Sequence, residues 1–166
     1  DTEDYPSITK EYQQDGTIIY KNGDKVCTKE EVEAFRDIIK MHIMQYGGVY
    51  TSLGACPDNG TAYYNANTAA YYWEGDVTQL KRNMGHAVTI VGWDDNYSRN
   101  NFADGTKPSR DGAYIVLNSY GEGAFDDGYL YISYEDTFVE KELYGISATS
   151  KVDYDNLYQH DYYGSI

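Results

Sequence analysis

Two strand-like runs separated by a long polar insert constrain this chain most. HAVTIVGW (86–93) and AYIVLNSY (113–120) are dense in β-branched and aromatic residues. Such side chains lose rotamer freedom in a helix and pack well on a pleated surface. Between them, DDNYSRNNFADGTKPSRDG (94–112) is polar and carries Gly and Pro, so it reads as an exposed loop. The cost of closing a loop grows only slowly with its length, so the two runs can still be neighbours in one sheet. A third run, YLYISYED (129–136), alternates in polarity after the Gly-rich turn GEGAFDDG (121–128), and a last strand begins near Tyr144.

Upstream lies one helix. Thr28 and Glu31 fit a capping box, in which the Thr hydroxyl and the Glu carboxylate each satisfy a backbone N–H that the helix leaves unpaired. Val32, Phe35, Ile39, Ile43 and Tyr46 recur at helical spacing and form an apolar face, and Gly47 and Gly48 end it. VYTSL (49–53) then reads as a strand. TIIY (17–20) and the turn residues NGD (22–24) point to a hairpin over 17–27, whereas 54–80 reads as loop. The sum is an α+β chain, with one packing helix and a mostly antiparallel sheet carrying long loops. No internal repeat or domain boundary is visible before about residue 150, and the tail 151–166 has no period.

Composition narrows the function classes. The 166 residues are 41% hydrophobic and 24% charged, which suits one domain with a sizeable core. A formal net charge of -14 repels phosphate backbones and anionic lipid, which argues against nucleic-acid and membrane-surface partners. No apolar run is long enough to form a membrane-spanning helix, so no membrane insertion is expected. The 20 tyrosines suit strands, half-exposed surfaces and interfaces. No cofactor or metal is expected. Asp94, Asp95, Asn96 and Ser98 lack the spacing and terminal Glu of a calcium loop and read as a solvated acidic turn. His42 reads as helix packing and His160 as part of an exposed tail.

Three segments carry chemistry together: GHAVTIVGWDD (85–95), YIVLNSYGEGAFDDGYLYISY (114–134) and DYP (4–6). They resemble papain-family cysteine peptidases, in particular bacterial members with a long loop between the His and Asn strands. The resemblance implies a papain-like fold, mainly its right-hand β-sheet lobe. Residues 1–150 would be the C-terminal portion of the peptidase domain, comprising the second lobe and the inter-lobe segment. Residues 151–166 would lead towards a further domain of a precursor. The resemblance also implies roles. His86 is the catalytic imidazole and Asn118 the amide that orients it. Tyr120 stands where the family usually has Trp and shields that hydrogen bond from water. Gly85, Ala87, Thr51 and Ser52 line the pocket for the substrate side chain two residues before the scissile bond.

The chemistry needs these residue types. A thiol is mostly protonated at neutral pH and only its thiolate attacks, so an imidazole must take the proton and later return it to the leaving amine. A neutral amide on a neighbouring strand can fix the imidazole's tautomer without adding charge. The nucleophile itself has no match. No Cys-Gly-Ser-Cys-Trp-like run and no preceding Gln occurs in the chain. Cys27 sits just before the helix cap, where the helix N-terminus lowers a thiol pKa, but it lacks the family context. Cys56 lies in a loop. Both read as structural or free thiols. The expectation is therefore a secreted or cell-surface bacterial cysteine endopeptidase subunit acting on protein or peptide substrates. Its nucleophile would lie on an upstream N-terminal fragment, separated by cleavage, and this chain alone would be inactive. The alternative is an inactive pseudo-peptidase that binds protein or carbohydrate, with YYNANTAAYYW (63–73) able to stack on sugar rings.

Overall fold

The computed structural model describes residues 2–5, 7–54, 57, 61–75, 85–119 and 126–146. Its one α-helix among these residues, α1 (Lys29–Tyr46), begins as its sequence implies. Thr28 accepts from the Glu31 backbone N–H at 3.2 Å, and the Glu31 carboxylate accepts from the Thr28 N–H at 2.9 Å. At the other end Gly47 adopts φ 96°, a left-handed conformation open to glycine, and its N–H closes on the Ile43 carbonyl.

Two sheets surround the helix. The smaller is a meander of β2 (Thr9–Tyr12), β3 (Ile18–Asn22) and β4 (Lys25–Val26), which contains the expected hairpin. The larger has eight strands among the described residues. They are β1 (Thr2–Asp4), β5 (Val49–Leu53), β6 (Tyr64–Asn65), β7 (Ala70–Tyr71), β8 (His86–Asp94), β9 (Ala113–Leu117), β10 (Tyr129–Ser133) and β11 (Tyr144–Ile146), in the order β1-β11-β5-β8-β9-β10-β7-β6. The runs around His86 and Asn118 are thus neighbours in one sheet. The pairs are antiparallel except β7 with β10, which runs parallel.

The core forms between α1 and the sheet. Ile39 and Ile43 meet Val49, Leu53, Val88, Ile90, Val116, Leu130 and Ile132, all under 7% exposed. Strand alternation fixes which residues face it. On β5 the buried positions are Val49, Thr51 and Leu53, while Tyr50 and Ser52 face outward.

The helix face differs from its apolar spacing in two places. Tyr46 is exposed, and Arg36 is fully buried. Arg36 donates through Nε to Glu140 Oε1 at 2.6 Å and through Nη2 to Glu140 Oε2 at 3.2 Å. Lys10, on β2, reaches the same carboxylate at 3.0 Å, and the Tyr114 hydroxyl donates to it at 3.0 Å. This buried cluster joins the small sheet, the helix, β9 and the segment before β11. Two loop expectations are also corrected. Residues 54–80 contain β6 and β7, each two residues long and so without a readable period. The 94–112 insert is folded onto the body rather than fully exposed. Within it, Phe102 is 1% exposed and packs edge-on against Tyr72 and Tyr97.

Candidate active site

His86 opens β8 opposite Leu53 of β5, and Asn118 directly follows β9. In the β8–β9 pairing Thr89 faces Leu117, so the next step sets Asn118 opposite Val88. His86 lies two residues from Val88 and shares its face, which makes 86 and 118 diagonal cross-strand neighbours, within reach of long side chains. His86 Nε2 and Asn118 Oδ1 are 2.6 Å apart.

A second hydrogen bond fixes which way the amide points. The Ser119 backbone N–H donates to Asn118 Oδ1 at 2.8 Å, so that atom is the carbonyl oxygen. An amide oxygen only accepts, and therefore Nε2 of His86 carries the hydrogen. The lone pair then sits on Nδ1, the nitrogen that would take a proton from a thiol. Asn118 is 6% exposed, and its backbone N–H is held by the Gly128 carbonyl at 2.9 Å, so it has little freedom to turn. Its Nδ2 is buried with no hydrogen-bond partner among the described residues.

A cavity of about 390 Å³ lies beside the imidazole, lined by Tyr50, Ser52, Leu53, Gly54, Gly85, His86, Ala87, Phe138 and Glu142. Gly54 is required there, since a Cβ would stand 2.0 Å from the Trp73 ring and 2.5 Å from Phe138. Those two rings stack with centroids 5.5 Å apart, and Phe138 lines the cavity. Of the four residues expected in a substrate pocket, Ser52, Gly85 and Ala87 line this cavity. Thr51 does not. It points to the core face of β5, is fully buried, and its hydroxyl donates to the Val139 carbonyl at 2.8 Å. The period of two along a strand excludes Thr51 and Ser52 from sharing one face. The same alternation, applied from Ser52, brings in Tyr50. Phe138 and Glu142 arrive from the segment between β10 and β11, which has no period to announce them.

Tyr120 and Cys56 lie outside the described residues. Cys27 is a free, half-buried thiol. It lines a separate cavity of about 420 Å³ with Tyr20, Glu33 and Arg110, one that contains neither His86 nor Asn118. Among the described residues no group of three or more His, Cys, Asp or Glu side chains could hold a metal ion, and no helix is long and apolar enough to cross a membrane.

The chain superposes on the cysteine protease and lectin-like domains of Cwp84, a surface layer associated protein of Clostridium difficile, with a TM-score of 0.58 and 37% identity. That match covers 76% of this chain and 25% of the Cwp84 chain. The chain is similar in structure to papain-like cysteine-protease domains. A second Cwp84 structure, a cysteine-to-alanine form after propeptide cleavage, matches with a TM-score of 0.56 and 30% identity over 90% of this chain and 30% of that one. The chain therefore spans between a quarter and a third of the Cwp84 chains it matches. No protein-family model matches it, and no curated protein matches its sequence. Its mainly β architecture with one helix agrees with one lobe of such a protease.

Proposed function

We propose that this chain is the His- and Asn-bearing portion of a papain-like cysteine endopeptidase, with His86 as general base and acid and Asn118 as its orienting residue. The observation that carries this reading is the 2.6 Å contact between His86 Nε2 and an Asn118 oxygen whose identity Ser119 fixes. The thiol is supplied by an upstream polypeptide segment. Its proton passes to His86 Nδ1, giving a thiolate–imidazolium pair. The thiolate attacks the scissile carbonyl, and the imidazolium returns the proton to the departing amine, leaving an acyl-enzyme. Water, deprotonated by the same Nδ1, then releases the acid and restores the thiol. Ser52, Gly85 and Ala87 flank the substrate side chain two residues before the scissile bond. The nucleophile-bearing fragment is a separate chain made by cleavage of a secreted or cell-surface precursor. Identity to Cwp84 across most of this chain supports the peptidase reading.

A second reading, an inactive module that binds protein or carbohydrate, draws on the lack of a Cys-Gly-Ser-Cys-Trp-like run. A thiol-directed peptidyl electrophile applied to the native material separates the two. The peptidase reading expects one labelled polypeptide other than this chain, identified by intact mass and N-terminal sequencing, with labelling lost in His86→Ala. Native material that is this chain alone, and takes no label, supports the binding module instead.

A further inference from the structure

We infer that Glu142 makes the cavity beside His86 a subsite for a cationic side chain, so that the preferred substrates carry lysine or arginine there. This inference rests on the peptidase reading above and names its substrate class.

The cavity adjoins the reacting imidazole and, at about 390 Å³, falls in the range of small-ligand sites, roughly 300–1,000 Å³. Its walls are aliphatic or aromatic at Leu53, Ala87 and Phe138, and small at Ser52 and Gly85. Among the described residues, Glu142 is its one carboxylate, and no lysine or arginine lines it. The carboxylate is exposed, and no ion pair neutralises it among the described residues. The cation next to it in sequence, Lys141, is turned onto the Phe138 ring, 5.5 Å from the centroid, and does not line the cavity. Apolar walls with a single unneutralised carboxylate among the described lining residues suit an amphipathic side chain. The methylene stem of Lys or Arg covers the walls, and its head meets Glu142. A glutamate side chain in the same place would set two like charges together, and an alanine would leave the walls wet. The net charge of -14 adds a field that draws cationic peptides towards the chain. Nothing in the chain's own packing requires a carboxylate at 142, since the group makes no described internal contact that a neutral amide could not replace.

The test uses the complete enzyme, this chain together with its thiol-bearing polypeptide. Three fluorogenic peptides differ only in the residue two before the scissile bond: Arg, Leu or Glu. For the native protein kcat/KM is expected to favour Arg over Glu by about 10-fold or more, as one charge contact allows, with the ratio shrinking at high salt. Glu142→Gln is expected to collapse the Arg-to-Glu ratio towards 1, and Glu142→Arg to invert it. Cleavage of all three peptides with a ratio that neither substitution changes overturns the assignment of Glu142 and leaves the peptidase reading standing. Cleavage of none of them overturns both.

Discussion

At the scale of single residues, the site depends on one oxygen with two donors. Asn118 Oδ1 accepts from the Ser119 N–H and from the His86 ring, and this pins both the amide rotamer and the imidazole tautomer. Removing the amide would free the ring to turn and to exchange tautomers, while the other described groups that line the cavity have no bond to Asn118 to lose. Asn118→Ala in the complete enzyme is therefore expected to lower kcat by about 10²-fold, a typical share of acid–base catalysis, while KM moves little. Steady-state kinetics on one peptide measures both. A fall confined to KM would show that Asn118 serves binding rather than orientation. The pairing of 86 with 118 was readable through the resemblance, and the strand composition of the two runs made them possible sheet neighbours. Thr51 was not readable, because the resemblance points to a stretch of strand and only the period of two decides which half of it faces the cavity. Glu142 and Phe138 gave no signal at all. They sit in an irregular segment that reaches the cavity through the fold rather than through any local pattern.

At the scale of elements, α1 was the most legible part of the chain, and its cap explains why. The reciprocal Thr28–Glu31 bonds satisfy two orphan donors, and both residues are visible at fixed spacing. Thr28→Ala breaks one of them and is expected to cost about 1 kcal/mol, measured as a lowered urea midpoint at unchanged m. An unchanged midpoint would mean that helix packing alone sets its start. Elsewhere along the same helix, hydrophobic spacing misled at Tyr46 and missed Arg36, because it counts apolar residues and cannot see that a charge will find a buried partner. Short strands fail differently. β7 exists through its place beside β10, and β6 through its pairing with β7, a long-range cause that two residues of sequence cannot encode. The 94–112 insert is a similar case, since its two aromatics, Tyr97 and Phe102, pack edge-on against each other and anchor the loop to Tyr131 and Tyr72.

At the scale of the whole molecule, the two sheets and the helix meet at a buried charge cluster, and its titration should govern acid behaviour. Burial alone would raise the Glu140 pKa, but Arg36 and Lys10 outweigh it and hold the group at about 2. Glu140 thus contributes stability that is present above its unfolded value and lost as pH falls towards 2. Glu140→Gln removes the carboxylate that Lys10 and Arg36 share and leaves Arg36 its half-exposed partner Glu33 at 3.1 Å, so a loss of about 3–5 kcal/mol is expected near neutral pH. Asp136 behaves in the opposite sense. Burial pushes its pKa up to about 6, against Lys10 and the backbone N–H groups of Phe138, Trp73 and Val139, all of which favour the charged form. The folded chain then keeps a proton that the unfolded chain releases above its ordinary carboxylate value near 3.8. Asp136 therefore favours folding most below that value, and its contribution drains away as pH rises through about 6, by roughly 3 kcal/mol in all. With a net charge of -14, surface repulsion grows over the same interval, so the native slope alone does not isolate Asp136. The difference between native and Asp136→Asn protein does. Asn keeps one oxygen for the Phe138 and Val139 N–H groups but turns an NH₂ towards the Trp73 N–H, so the variant is less stable overall. Its urea midpoint should nevertheless fall less steeply than the native one between about pH 4 and 6, because no proton is left to lose. Parallel midpoint curves for the two proteins across that interval would show that Asp136 is already ionised at the lower end, and that three backbone donors and Lys10 outweigh its burial.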